Sequence, residues 1–247
     1  MKAMVFAAGL GTRLRPLTND RPKALVEVGG KTMLERVITH LADCGVTDIT
    51  VNIHHFGEKI IEFLEEKKNF GLDIHISDER DLLLDTGGGL MKARKFLDGD
   101  EPFIVHNADI LTDLDLKAMY DFHVEHDALS TILVKDRQTQ RYFLFDHDHR
   151  LKGWINKKTG ETKPEGYQYN PQKVDSLAFG CVHVLSPRIF DALEKYSKAK
   201  GKVFSIAPFY AEMCDSYKIY GYQQFSDYKW LDVGKPETLA QAEEMFK

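Results

Sequence analysis

Four charged residues, two of them where short apolar runs end, are each of a type that handles phosphate or a divalent cation. Arg13 follows the glycine-punctuated segment Ala7-Ala8-Gly9-Leu10-Gly11-Thr12, and Lys23 lies in Arg21-Pro22-Lys23-Ala24-Leu25. Gly9 and Gly11 let a backbone approach a ligand, and consecutive amides in such a loop form an anion-binding concavity. Arg13, Arg15 and Lys23 add positive charge beside it; a glycine turn flanked by solvated basic residues is the competing reading. Asp109 comes after an apolar run in His106-Asn107-Ala108-Asp109, and Asp232 in Trp230-Leu231-Asp232-Val233-Gly234-Lys235-Pro236. Two carboxylates distant in sequence can share one Mg2+, which keeps several waters and takes phosphate oxygens. The alternative for Asp109 is a cap on a turn or on the helix that follows.

Two familiar nucleotide motifs fail on inspection. The dinucleotide fingerprint needs a third glycine after Gly9 and Gly11, and Leu14 stands there. Gly30-Lys31-Thr32 resembles the end of a P-loop, but Leu25 occupies the place of its first glycine, so the segment reads as a turn entering a helix.

The elements that must position these residues follow an alternating order. Apolar runs at 4–8, 49–53, 72–76, 102–106 and 128–134 predict strands. Helical spacing of Met33, Leu34, Val37, Ile38 and Leu41, of Ile60, Ile61 and Leu64, and over 87–97 and 114–126 predicts helices between them. Repeated strand–helix–strand order implies a mostly parallel sheet with helices on both faces. Ligands of such sheets bind beyond the carboxyl ends of the strands, where Gly9–Gly11 and Asp109 fall. From about residue 140 the rhythm changes. Segments 141–145 and 151–155 predict an inserted antiparallel hairpin around Asp146-His147-Asp148-His149, whose residues suit a solvated turn better than a metal site. Residues 157–173 read as a polar surface loop, 176–185 as a strand, and 187–196, 206–214 and 236–246 as helices. The expectation is a single α/β domain over 1–247, Rossmann-like and mixed, with a nucleotide-binding half at 1–135 and a second half at 136–247.

The 247 residues carry 33 Lys+Arg against 38 Asp+Glu, a net charge of −5, which argues against nucleic acid as a partner. Cys44, Cys181 and Cys214 lack any paired spacing, so neither a zinc site nor a disulfide framework is expected. The apolar stretch 3–10 is too short for a secretory leader, and no run approaches the roughly 20 apolar residues of a membrane span. A cytoplasmic protein without a membrane partner, monomeric or homodimeric, is the expectation.

Taken together, the motifs resemble those of sugar-1-phosphate nucleotidylyltransferases, proteins of the nucleotide-diphospho-sugar transferase fold. Ala7 through Leu14 with Pro22-Lys23-Ala24-Leu25 is similar to the family signature. Asp85-Thr86-Gly87-Gly88-Gly89 resembles its second glycine loop, Asn107-Ala108-Asp109 its Asn-Gly-Asp, and Trp230 through Pro236 its Trp-x-Asp-Val-Gly-Thr-Pro. The resemblance implies that a nucleoside triphosphate and a sugar 1-phosphate give an NDP-sugar and pyrophosphate. It also implies roles. Ala7, Gly9, Gly11, Thr12, Gly87 and Gly88 would bind the nucleotide. Arg13 and Lys23 would hold the phosphates, with Asp109 and Asp232 as ligands of Mg2+. Asn107, and with it Asn156 and Asn170 in the second half, would face the sugar phosphate. A uridylyltransferase acting on N-acetylmuramate 1-phosphate is the nearest likeness, with guanylyltransferases for mannose or heptose 1-phosphate as rivals. A nucleotide-sugar sensor without catalysis is the alternative of another class.

Departures from the pattern fall on the substrate side. Ala108 replaces the middle glycine and Lys235 a threonine. No clean counterpart of the family's sugar-contacting Glu-Lys-Pro is found near Trp154–Lys158. The base-reading glutamine has no obvious counterpart among Ser77, Asp78 and Glu79. Asn52-Ile53-His54-His55 resembles a run in the same groups, a helix-entry turn being the plainer account.

Overall fold

A computed structural model describes residues 1–246. The first half runs β1 (Lys2–Phe6), β2 (Glu27–Val28), β3 (Lys31–Thr32), α1 (Met33–Asp43), β4 (Asp48–Ile53), α2 (Gly57–Glu66), β5 (Asp73–Asp78), α3 (Asp85–Leu97), β6 (Phe103–Asn107), β7 (Ile110–Thr112), α4 (Leu116–Glu125) and β8 (Ser130–Lys135). The second half runs β9 (Arg141–Phe145), β10 (Leu151–Asn156), β11 (Thr162–Lys163), β12 (Asp175–Leu185), α5 (Ile189–Lys200), α6 (Ile206–Met213), β13 (Ile219–Tyr222), β14 (Trp230–Asp232) and α7 (Pro236–Met245).

The apolar runs of the first half build the parallel part of the sheet. β6, β1, β4 and β5 lie side by side and all parallel. The alternation within β1 divides the core: Ala3 and Val5 pack with α1 and α2 on one face, whereas Met4 packs with α3, α5 and α6 on the other. Both faces are covered, which is why these strands read as near-continuous apolar runs rather than alternating ones. The mixed, mostly parallel α/β sheet with helices on both faces agrees with the sequence-based expectation.

β12 joins the two halves of the chain. It is antiparallel to β6 through 182–185 and to β8 through 178–185, and its first three residues pair with β9 of the inserted hairpin. A bulge between Phe179 and His183 lets one strand serve these partners, with Cys181 at φ 58°. Ten strands thus form one continuous sheet.

Four features differ from the sequence reading. The 219–222 segment is a strand, β13, parallel to β8. Part of the polar 157–173 loop forms β11 against β10. Residues 27–28 and 31–32, around the turn read as entering a helix, pair as a short hairpin, β2–β3. Residues 230–232 and 110–112, too short to read as strands, pair as a separate antiparallel ribbon, β7–β14. For β13 and the β7–β14 ribbon the missing information is a partner strand distant in sequence.

Candidate active site

The glycine loop leaves β1 at its carboxyl end. Gly11 sits at φ 63°, and a side chain there would press on Lys23 Cβ at 3.0 Å, so glycine is needed both for the backbone and for the close approach of the Lys23 turn. The loop is anchored from below. Asn52 Oδ1 accepts the Ala7 amide at 2.7 Å and the Ala8 amide at 3.3 Å. Its Nδ2 donates to Glu79 Oε1 at 2.7 Å, and Glu79 Oε2 accepts the Leu84 amide at 3.0 Å. Buried Asn52 and Glu79 therefore tie the loop after β1 to the entry of α3.

Glu79 stands in the stretch after β5 where the sequence offered no clear counterpart of the base-reading glutamine. Its carboxylate points into the protein and is spent on this network. Asn52 could have been suspected from a polar side chain within the apolar run 49–53, because a buried amide must be hydrogen-bonded. His54 belongs to the same framework, its ring Nδ1 lying 2.7 Å from the Glu79 carbonyl.

Asp109 and Asp232 are brought together by the short ribbon. Asp232 pairs with Ile110 in register, and the Val233 amide donates to the Asp109 carbonyl at 2.9 Å. Lys23 Nζ forms an ion pair with Asp109 Oδ2. Asp232 Oδ1 is buried and accepts no hydrogen bond among the described residues. Burial first, and then the charge of Asp109, pushes the Asp232 carboxyl above its ordinary value; Lys23, Arg13 and Arg137 pull the other way. Arg13 arrives from the glycine loop: a side chain at Gly234 would meet Asp232 Oδ1 at 2.7 Å and Arg13 Nη2 at 2.9 Å. All four charged residues singled out in the sequence thus lie at one place, beyond the carboxyl ends of β1 and β6.

Beside them opens a cleft of about 370 Å3 lined by Ala7, Gly9, Lys23, Asp85, Thr86, Asn107 and Asp109, with apolar Phe6, Ala8, Leu83 and Val203. The remaining candidates are placed unequally. Gly87 and Gly88 do not line the cleft; their amides donate to Phe204 O at 2.9 and 3.2 Å. Side chains there would collide with the Phe204 ring at 2.3 Å and Lys202 O at 2.2 Å. They set the packing of α3 against 202–204, beneath Thr86. Thr12 is exposed at the loop's outer edge. Asn156 and Asn170 are absent from the lining, and their side chains accept the amides of Lys158 and Gln172 in local turns.

Arg137 is the charged residue the sequence reading did not single out. It stacks over Trp230, with its guanidinium carbon 5.2 Å from the ring centroid, and Nη2 donates to Phe179 O at 3.3 Å. No motif marks it, because its place depends on the bulge in β12. A different carboxylate–imidazole group, Asp48, Asp73 and His75, lies at the amino ends of β4 and β5, the opposite end of the sheet from the cleft.

A family model of nucleotidyl transferases matches residues 2–247. The chain belongs to this family. The chain is 31% identical over 243 residues to a mannose-1-phosphate guanyltransferase of Candida albicans, with 97% of this chain and 62% of that protein aligned. It therefore spans less than two thirds of the length of that relative. It is 30% identical over 244 residues to an N-acetylmuramate alpha-1-phosphate uridylyltransferase of Neisseria meningitidis, covering 98% of this chain and 97% of that one. The crystal structure of HddC from Yersinia pseudotuberculosis, complexed with GMP-PN, superposes over 100% of this chain and 99% of that chain with a TM-score of 0.75 at 24% identity. Among the described residues, no helix is long and apolar enough to cross a membrane.

Proposed function

We propose that this protein is a nucleotidyl transferase that joins a nucleoside triphosphate to a sugar 1-phosphate, releasing pyrophosphate. The observation that carries the reading is the convergence of Arg13, Lys23, Asp109 and Asp232 beside an amide-lined loop, including a buried carboxylate oxygen with no partner. A sensor of nucleotide sugars has no use for that arrangement, since an uncompensated buried carboxylate costs stability. Mg2+ fits the donor set: hard carboxylate oxygens, one of them unpartnered, sit where their mutual repulsion calls for a cation. Asp109 and Asp232 would hold the ion, which when bound supplies positive charge to phosphate oxygens.

The chain's own residues supply position and charge. With the Ala7 and Ala8 amides held by Asn52, the amides of Gly9, Leu10 and Gly11 are the ones left for the triphosphate, with Arg13 beside them to take a phosphate through its planar fork. Lys23, fixed by Asp109, presents a compact charge where the α-phosphate and the acceptor phosphate must meet. An acceptor phosphate oxygen forms the new bond to the α-phosphorus in line, while the bond to the bridging oxygen breaks and pyrophosphate departs with the electron pair. No side chain has to be alkylated or phosphorylated, so rate comes from alignment and neutralisation.

UTP with N-acetylmuramate 1-phosphate is the pair we favour, supported by the relative that aligns over nearly all of its own length. GTP with mannose 1-phosphate is the second reading, supported by the guanyltransferase relative. Pyrophosphate release with Mg2+ across a grid of triphosphates and sugar 1-phosphates tests both. Release confined to UTP and N-acetylmuramate 1-phosphate is the expected result. Release with GTP and mannose 1-phosphate replaces the first pair by the second, and silence throughout with intact NTP binding favours the sensor.

A further inference from the structure

Two cations near the carboxylates belong to no ion pair among the described residues. Lys135 ends β8 and Arg137 follows two positions later. Lys135 Nζ lies 4.0 Å from the centroid of the Tyr228 ring and 5.5 Å from that of Trp230, and Arg137 covers the same indole at 5.2 Å. Trp230 and Asp232 are alternate residues of β14, so their side chains leave the same face, about 7 Å apart along the strand. The cations are therefore laid along a row that ends at Asp232.

The bulge in β12 holds this row in place. Its Phe179 carbonyl accepts from Arg137 and its Gly180 carbonyl accepts from Trp230 Nε1 at 3.0 Å. Arg137 Nε is buried and has no acceptor. Burial, and then the charge of Arg137, draws Lys135 below its ordinary value. Two half-buried cations held close together, with Asp232 near Arg137 but neither cation in an ion pair among the described residues, leave room for an added anion, and aromatic faces return only part of the cost of keeping them together. The strand order decides which reactant brings the anion. The glycine loop follows β1, whereas β12 and β8 lie beyond β6 on the other side of Asp109.

We propose that Arg137 and Lys135, stacked on Trp230 and Tyr228, form an anion subsite for the acceptor, taking either its phosphate or a carboxylate carried by the sugar. The inference rests on the reaction proposed above and adds the acceptor-side residues to it. Arg137 binds and orients; Lys135 adds charge.

The test is steady-state kinetics of Arg137→Met, Arg137→Lys and Lys135→Met, varying acceptor at saturating NTP and the reverse. The acceptor is the sugar 1-phosphate chosen by the pyrophosphate-release grid. Loss of a charge-assisted bond raises the acceptor KM of Arg137→Met by about 10- to 100-fold, with NTP KM within about twofold of wild type. Arg137→Lys restores part of the loss, and unchanged thermal midpoints show that the fold is kept. Dissociation constants for N-acetylmuramate 1-phosphate and N-acetylglucosamine 1-phosphate separate the sources. Equal weakening of both assigns the phosphate; weakening of the acidic sugar alone assigns the carboxylate. An unchanged acceptor KM, or a loss confined to NTP, overturns the subsite. A wild-type protein that binds NTP but turns over no sugar 1-phosphate overturns the reaction, and the subsite with it.

Discussion

Acidification should destabilise this protein steeply well before its carboxylates titrate, because three histidines are folded away in neutral form. His106 in β6, His123 in α4 and His183 in β12 are 1–2% exposed. Burial lowers them to about 4, about 4 and about 3 respectively, with His106 and His183 on adjacent strands so that charge on one opposes charge on the other. Their ring Nδ1 atoms are engaged by Asn107 O, Thr131 Oγ1 and Tyr210 Oη at 2.9, 3.0 and 2.7 Å, while Nε2 of His106 and of His123 has no partner. In the unfolded chain each imidazole titrates near its reference value of about 6.5. Because the folded values lie lower, the unfolded state binds more protons in the window between them, and stability falls as pH falls. Each histidine contributes about 1.4 kcal/mol per pH unit there. From pH 6.5, where the unfolded imidazole is already half protonated, to pH 5.0 that is about 1.6 kcal/mol apiece and about 5 kcal/mol for three, against a typical total of about 5–15 kcal/mol. Urea unfolding followed by circular dichroism at pH 7.5, 6.5, 5.8 and 5.0 measures it. A His123→Gln variant should unfold with a pH slope shallower by one proton. Stability that stays level from pH 7.5 to 5.0, or a slope unaltered in that variant, would refute the reasoning.

Other outcomes follow from contacts at the cleft. Asp232→Asn should cut turnover by about 100-fold or more, since the cation site loses a charge. Its thermal midpoint should stay level or rise, because burial and Asp109 already disfavour the ionised form; near-normal turnover would remove Asp232 from the site. Gly88→Ala places a methyl group 2.2 Å from Lys202 O and should cost about 1–3 kcal/mol or more in a denaturant titration; a neutral change would mean the 202–204 segment yields freely. Asn52→Leu strands the Ala7 and Ala8 amides and the Glu79 carboxylate, and should cost about 2–4 kcal/mol while weakening NTP binding measured by calorimetry. Wild-type affinity in that variant would show that the loop keeps its shape without its anchor.

What the sequence determined by itself was local or periodic. Continuous apolar runs at β1, β4 and β6 specified buried parallel strands, since both faces of such a strand must meet helices. Gly9 and Gly11 marked a backbone loop, and Arg13, Lys23, Asp109 and Asp232 stood out as charged residues of types suited to phosphate or a cation. The meeting of Asp109 with Asp232 was decided by the tertiary structure. It depends on β7 and β14, three residues each, which have no propensity worth reading until they pair. The inward turn of Glu79 likewise depends on Asn52 lying one strand away. Gly87 and Gly88 show the same limit from the other direction. Their sequence reads as a loop for a ligand, yet their missing side chains make room for Phe204 and Lys202, residues more than a hundred positions later. Arg137 was silent for a related reason: one arginine among 33 basic residues becomes distinctive only where a bulge and an indole hold it beside Asp232. Spacing along a chain can reveal which groups are available, but their mutual distances are set by strand order, register and close packing.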